Sequence, residues 1–184
     1  MFKLHYKNYH IKFFNGVDKD NYDNVYTNQE EEKYRITSQH GIIVCDELGN
    51  QISSACVYGV GGGTGIHKNS AVISNDVLLI CCGNSIFCLT LPSLKLLWFT
   101  IVDSASCFGI YQYQQDFIVH GECEISKINS EGKFLWQLSG PDIFTTPSGK
   151  EEGFTINNDI VFVKCWDGSK FEIDAKTDSL IQKI

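Results

Sequence analysis

The sequence predicts an all-β fold of about four propeller-like blades, each roughly 40 residues long. Two observations predict it. Short runs rich in Val, Ile, Leu and Phe recur along the chain, separated by Gly, Asn, Asp or Ser, which is typical of strands joined by turns. The same pattern recurs at Asp76, Asp116 and Asp159, which are 40 and 43 positions apart. No long window has the periodicity of a helix.

Three repeated units share one order of strands and turns. Each opens with an Asp, continues through two apolar runs with a turn between them, and closes on a third run. The closing residues are Trp98, Trp136 and Ile181, which lie 22, 20 and 22 positions after the opening Asp. A preceding apolar run supplies a fourth strand. Four strands in about 42 residues is the length of one propeller blade.

These units predict one domain over residues 1–184. Repeats are expected at about 41–66, 67–104, 105–145 and 146–184, and residues 1–40 are expected to hold divergent N-terminal strands. Those N-terminal strands either complete the first blade or cover the terminal strand edge that an open arc would expose. A minimal propeller, an open arc and half of a dimeric ring all remain open at this point, so a homodimer is one alternative.

The ends of two units carry a resemblance. Segments 128–136 and 173–181 resemble repeats of quinoprotein-like β-propellers, with an Asp or Asn, a Gly turn and then Lys-x-x-Trp. Only two of the three units have the Trp, and only one has the Gly. Residues 59–184 more closely resemble an uncharacterised family of bacterial proteins, in pieces such as 78–83 and 139–144. The resemblance implies a fold and no activity, and we expect no cofactor.

The composition and charge narrow the class of partner. Hydrophobic residues make up 43% of the chain, which is enough for a real core, and the net charge is -7. Nucleic-acid backbones need clustered positive charge, so we expect no nucleic-acid partner. The sequence shows no secretory signal and no apolar window long enough for a membrane span. We therefore expect a cytoplasmic chain with a protein partner and no membrane contact.

The eight cysteines are expected to be free thiols. Several of them lie in apolar runs, where a thiol acts as a small hydrophobic group, and disulfides are rare without an export signal. Cys81 and Cys82 are adjacent on a predicted strand, so their side chains point to opposite faces and cannot easily bind one metal ion.

A glycine-rich run at 59–65 is expected to be a flexible link between blades. It lacks the Lys and Ser or Thr of a phosphate-binding loop, since Ile66 and His67 stand in their places. No helix pattern follows it. The alternative is a backbone surface that a ligand or partner approaches closely, because glycine has no side chain.

The run 120–124 is the most suggestive of a cluster. On one continuous strand His120, Glu122 and Glu124 would share a face, as a metal or acid/base group would require. Alignment with the other units instead places a turn at 121–122, which breaks the strand. The sequence therefore predicts no metal site.

A candidate binding face follows from the architecture. In a propeller, the links between blades and the turns between the second and third strands lie at the same end. This end would carry His67, Asp103, His120, Glu122, Asp142 and Asp167. The sequence predicts that these residues form a binding face. The alternative is that they form a solvated surface of turn-forming acids.

The predicted function is a non-catalytic binding module for a protein partner. One version is an inhibitor or immunity-type protein whose acidic surface steers it onto a basic toxin. The alternative is an enzyme or small-molecule-binding protein that uses Asp103, His120 and Glu122 as acid/base or ligand groups. Trp98 and Trp136 are expected to pack between blades, because they occupy equivalent places in their units.

Overall fold

The computed structural model describes residues 2–16, 21–28, 35–146, 153–177 and 179–183. The first of its four sheets holds β1 (Phe2–Tyr6), β2 (Tyr9–Asn15), β3 (Asn24–Thr27), β4 (Ser38–Cys45) and β5 (Gln51–Gly59). Its strand order is β1-β2-β4-β5-β3, in which β3 is parallel to β5 and the other pairs are antiparallel.

The other three sheets are four-stranded antiparallel meanders in chain order. The second sheet holds β6 (Ala71–Ser74), β7 (Val77–Cys82), β8 (Ser85–Thr90) and β9 (Leu96–Ile101). The third holds β10 (Cys107–Tyr113), β11 (Asp116–Gly121), β12 (Glu124–Ile128) and β13 (Phe134–Ser139). The fourth holds β14 (Phe154–Asn157), β15 (Ile160–Lys164), β16 (Lys170–Asp174) and β17 (Leu180–Lys183). The predicted all-β fold of propeller-like blades is confirmed.

The repeated Asp residues have a conformational role in two of the units. Asn75 and Asp76 join β6 to β7 with φ values of 46° and 65°, and Asn158 and Asp159 join β14 to β15 with 47° and 67°. A two-residue hairpin turn with both φ values positive matches the twist of the flanking strands, and Asn and Asp tolerate it best after Gly. Asp116 instead lies within β11.

In three sheets, the turn between the third and fourth strands, counted in the order of the sheet, is closed by a side-chain oxygen that accepts a backbone N–H. Asn129 Oδ1 accepts the N–H of Lys133 at 2.9 Å, and Asp46 Oδ1 accepts that of Asn50 at 2.8 Å. Asp174 Oδ1 plays the same part in the fourth sheet, where it accepts from Lys176 N at 2.7 Å. Asn and Asp favour turns because they can bond the backbone a few residues ahead in this way.

Three hydrophobic clusters join the sheets in chain order. The first lies between sheets one and two, the next between sheets two and three, and the last between sheets three and four. Cys82 belongs to the first cluster and its neighbour Cys81 to the next, as the alternation of strand side chains predicts. None of the three joins the fourth sheet to the first within the described ranges. The core therefore runs along an arc of four blades.

The N-terminal strands β1 and β2 complete the first blade, which is the first of the two alternatives that the sequence left open. Phe2, Leu4 and Tyr6 of β1 pack against the first hydrophobic cluster. No sequence pattern indicates β3, a short strand that precedes β4 in the chain but pairs with the far edge of β5.

An aromatic side chain on the outermost strand of each of the first three sheets is hydrogen-bonded to the sheet that follows. Each donates a hydrogen bond to a backbone carbonyl in the turn between the third and fourth strands of the following sheet. The pairs are Tyr26 Oη with Leu94 O at 3.0 Å, Trp98 Nε1 with Ser130 O at 3.2 Å, and Trp136 Nε1 with Ala175 O at 3.3 Å. The prediction that both tryptophans pack between blades is confirmed.

All eight cysteines are thiols in the structure, and seven of them are buried. Burial raises the pKa of Cys88 to about 12 and that of Cys82 well above its ordinary value, so these groups stay protonated and behave as small apolar side chains. The described residues include no helix that is long and apolar enough to cross a membrane.

Candidate binding site at the loop end

The links between sheets and the turns between second and third strands meet at one end of the arc, as predicted. We call this the loop end; it comprises links 60–70, 102–106 and 140–146 and turns 83–84, 122–123 and 165–169. One hydrogen bond from turn to preceding link recurs in three sheets. The pairs are Asn84 N with Val60 O at 2.9 Å, Glu122 N with Ser106 O at 2.7 Å, and Trp166 N with Ile143 O at 2.9 Å.

Asp103 acts as a clamp within the loop end. Its side chain is buried, with 3% of the residue exposed. Oδ1 accepts the N–H groups of Ala105 and Ser106 at 2.7 and 2.9 Å, and Oδ2 accepts those of Cys123 and Glu124 at 2.9 and 2.8 Å. Burial raises its pKa to about 6, against the opposing effect of these N–H donors. The carboxylate has no acceptor position left for a ligand.

The predicted break in the 120–124 run is present, since β11 ends at Gly121 and β12 begins at Glu124. Glu124 accepts from the Ser104 N–H at 2.8 Å and from its hydroxyl. Asp103, Cys123 and Glu124 bring ligand-type atoms within 4.8 Å of one another. Because both carboxylates are already engaged by backbone donors, this arrangement is that of a turn.

The two aspartates farther along the loop end form local turn contacts. Asp142 Oδ1 accepts the N–H of Ile143 at 2.8 Å. Asp167 Oδ1 accepts the N–H of Ser169 at 2.9 Å and its hydroxyl at 2.6 Å. These are the bonds of turn-forming acids, the alternative that accompanied the predicted binding face.

His67 is oriented by two hydrogen bonds to the backbone. Nδ1 accepts the N–H of Asn69 at 3.2 Å, so the ring proton lies on Nε2, which donates to the carbonyl of Phe108 at 2.9 Å. The ring therefore connects the link 60–70 to the start of β10.

His120 is held in a similar way one blade farther on. Its Nε2 donates to the carbonyl of Phe144 at 2.8 Å, and its ring stacks on Phe154 with centroids 4.5 Å apart. Burial lowers its pKa to about 4, because the charged form would lose its hydration. The imidazole is therefore neutral near pH 7 and serves as a structural donor.

His67 and His120 both line a cavity of about 580 Å³ between the link 60–70, the inner strand β10 and the inner strand β14. We call it the aromatic cavity, because three aromatic rings form much of its wall. The sequence does not single out these rings, because in an apolar strand pattern they are indistinguishable from core residues. The lining residues are His67, Lys68, Asn69, Phe108, Tyr111, His120, Thr145, Gly153, Phe154, Thr155 and Ile156.

The glycine run at 59–65 is packed against the chain and is not the loose link that the sequence predicted. A Cβ atom on Gly59 would lie 2.3 Å from the Cys82 carbonyl oxygen, and one on Gly62 would lie 1.8 Å from Ser106 Oγ. Both distances are far below van der Waals contact. Gly59 is therefore needed for close approach of backbone to backbone, and Gly62 for close approach to the Ser106 side chain.

Comparison with known proteins places the fold. No protein-family model matches the chain, and neither does any curated protein. Among solved structures it is similar to BamB from Moraxella catarrhalis, at 11% identity and a TM-score of 0.53, over 78% of this chain and 46% of BamB. It is also similar to the computationally designed Ika8 protein, at 11% identity and a TM-score of 0.57, over 99% of this chain and 60% of Ika8.

A third neighbour is a quinohemoprotein alcohol dehydrogenase from Pseudomonas putida, at 14% identity and a TM-score of 0.51, over 62% of this chain and 20% of the enzyme. The chain thus spans about half of BamB, three fifths of Ika8 and a fifth of the dehydrogenase. At these identities the likeness shows the propeller-like fold alone.

Proposed function

We propose that the chain is a non-catalytic module that binds a protein partner, and that the partner inserts an apolar or aromatic side chain into the aromatic cavity. The observation that carries this proposal is the cavity itself. It is large, lies at the loop end, and is walled by rings on two adjacent sheets. Loops on a rigid scaffold are the usual carriers of recognition.

The wall of the cavity is preorganised. Tyr111 and Phe154 lie with ring centroids 4.8 Å apart, and the Asn69 side-chain amide donates to the Tyr111 hydroxyl at 3.0 Å. Rings that are already fixed lose little conformational entropy when a partner binds, and aromatic residues dominate the energetics of protein interfaces. The hydroxyls of Thr145 and Thr155 add polar groups that could orient the inserted side chain.

A catalytic use of the same residues is disfavoured by the contacts. Four backbone N–H groups occupy the acceptor positions of the Asp103 carboxylate. The imidazoles of His67 and His120 both donate to backbone carbonyls. Within the described part of the chain, no hydrogen bond joins His120 to Asp103 or Glu122. An acid/base pair must lie within hydrogen-bond reach of a shared substrate position.

The narrower form of the proposal is a cytoplasmic inhibitor or immunity-type protein of the bacterial family that residues 59–184 resemble. The net charge of -7 supports it, because an acidic surface accelerates association with a basic partner. The association rate constant should then fall steeply between about 50 and 300 mM NaCl. A homodimer belongs to the same narrower set, and sedimentation at several protein concentrations tests it.

Affinity capture with matched variants tests the proposed function. Phe108→Arg places a charged side chain in the cavity wall, and Phe134→Arg makes the same change on the outer strand β13, where Phe134 is 44% exposed. We expect a partner captured by the wild type and by Phe134→Arg to be lost with Phe108→Arg, while both variants keep a wild-type unfolding midpoint. Equal capture by folded samples of all three proteins would contradict the proposal.

A further inference from the structure

The outward face of the first sheet carries a compact set of basic side chains. In the pairing of β1 with β2, Lys3 lies directly opposite Lys12 and His5 directly opposite His10. The intervening residues of β1 pack against the first hydrophobic cluster, so these four side chains share the opposite face of the sheet. The rings of His5 and His10 are 4.6 Å apart. We call Lys3, His5, His10 and Lys12 the basic face.

The two lysines of the basic face are not neutralised by an ion pair within the described part of the chain. Among the described residues, neither Lys3 nor Lys12 takes part in an ion pair. Lys7, in the turn after β1, differs because it pairs with Asp76 of the second sheet at 3.0 Å. Like charges directly opposite each other on a sheet are destabilising, so the pairing of Lys3 with Lys12 opposes folding. An anion bound between them would relieve that repulsion.

A cavity of about 380 Å³ lies on this face. Its lining includes all four members of the basic face, together with Cys45, Glu47, Leu48 and Gly49. Leu48 is 88% exposed, so an apolar side chain borders the charged groups. The cavity thus offers positive charge, one carboxylate and an apolar contact within one concave surface.

We propose that the basic face binds an acidic segment of a protein partner, at a site separate from the aromatic cavity. Charge complementarity is the main argument, because the face is basic on a chain whose net charge is -7. A long polyanion such as a nucleic acid would be repelled by the rest of the molecule, whereas a short acidic segment meets only the local charge. Leu48 favours a protein segment further, since it offers an apolar side chain and no donor to a phosphate. This inference stands independently of the proposed function.

Fluorescence anisotropy with a labelled oligoglutamate peptide tests the inference on the full chain. The test variant is Lys3→Glu/Lys12→Glu, which keeps a like-charged pair at the same register and reverses its sign. The control variant is Lys95→Glu/Lys133→Glu, which makes the same change in net charge in turns of the second and third sheets. Thermal unfolding verifies that both variants fold.

We expect the wild type and the control variant to bind the peptide with similar affinity at about 50 mM NaCl, and the test variant to bind at least about tenfold more weakly, because two attractive charges become repulsive. Equal affinity of the test and control variants would overturn the proposal. So would tighter binding of a labelled oligothymidylate than of oligoglutamate, since that result would assign the face to nucleic acid. Phe108→Arg should leave peptide binding unchanged, which separates this site from the aromatic cavity.

Discussion

Individual side chains at the loop end gain their roles from partners far away in the sequence. Asp103 is positioned by its bonds to Cys123 and Glu124, about one half-blade later, and a sequence pattern can show the Asp but not those N–H groups. The same limit applies to His120, which the sequence presented as a ligand candidate and the structure places against the Phe144 carbonyl. The loop end was predictable from the repeat. The sequence could not show that Asp103 holds the backbone together whereas His67 and His120 line a cavity.

Replacing Asp103 with Ala should destabilise the fold. The substitution leaves four backbone N–H groups without their acceptor at a site where the residue is 3% exposed. We expect the free energy of unfolding to fall by about 2–4 kcal/mol. Urea denaturation measures it, with Asp142→Ala as the control because, among the described residues, that side chain bonds only the adjacent N–H. A loss no larger than that of the control would contradict the clamp.

His40 should make stability depend on pH. The residue is 1% exposed, neither ring nitrogen has a hydrogen-bond partner among the described residues, and burial lowers its pKa from 6.5 to about 4. The unfolded state therefore binds more protons than the folded state between these values, so this contribution to stability is fully present above about pH 6.5 and is lost as the pH falls toward 4. His120 acts in the same direction and Asp103, with its raised pKa, in the opposite one.

The measurement is urea denaturation of the wild type and His40→Leu between pH 7.5 and about 4.5. The variant has no imidazole to protonate at this position, so we expect its loss of stability over this range to be smaller, by up to about 3 kcal/mol. Parallel pH profiles of the two proteins would show that His40 does not contribute.

The strands and turns were the most predictable elements. Local chemistry decides them, as in the Asn75–Asp76 hairpin turn and the turn that Asn129 closes. Two elements escaped prediction. The strand β3 pairs with β5 across the sheet from its neighbours in sequence, and the glycine run is shaped by contact with Cys82 and Ser106, which lie 20 or more residues away. Long-range packing of this kind leaves no periodic signal.

The glycine run offers a matched pair of substitutions. Gly59→Ala would bring a Cβ within 2.3 Å of the Cys82 carbonyl oxygen, and the backbone there cannot easily move. Gly63→Ala would meet only the Thr37 carbonyl oxygen, at 3.9 Å. We expect Gly59→Ala to lower the free energy of unfolding by about 1–3 kcal/mol and Gly63→Ala to be nearly neutral. Chemical denaturation distinguishes them, and similar values for both would mean that the run is a loose link.

The whole molecule is held together by contacts between consecutive sheets. Each of the three hydrophobic clusters among the described residues joins two neighbouring sheets, so a substitution at one junction should first destabilise the two sheets that meet there. This arrangement also explains why the blade count was predictable from the repeat period. The course of the arc depends on side chains that face each other across junctions, and so required the structure.

Trp136→Ala should loosen the junction between the third and fourth sheets. Trp136 is 7% exposed, belongs to the cluster that joins them, and donates to the Ala175 carbonyl. Removing it leaves a cavity and one unpaired carbonyl, at a cost of about 3–5 kcal/mol. We expect hydrogen–deuterium exchange to accelerate in β14–β16 while β7 and β8 stay protected. Uniform acceleration across all four sheets would contradict a junction-by-junction arrangement.

The hydrogen bond from an outer-strand aromatic side chain to a turn of the following sheet also bears on how such a chain can change length by gene duplication. A unit that has an outer-strand aromatic and an Asn- or Asp-closed turn carries both the donor and the turn that accepts this bond. A duplicated unit is therefore compatible with its neighbours from the start. The turn at 46–50 of the first sheet is closed by Asp46 as the turns of the third and fourth sheets are closed by Asn129 and Asp174, and within the described residues no aromatic from another sheet bonds to it. A unit inserted ahead of the first sheet would therefore meet a turn that is already built to accept the hydrogen bond of its outer-strand aromatic.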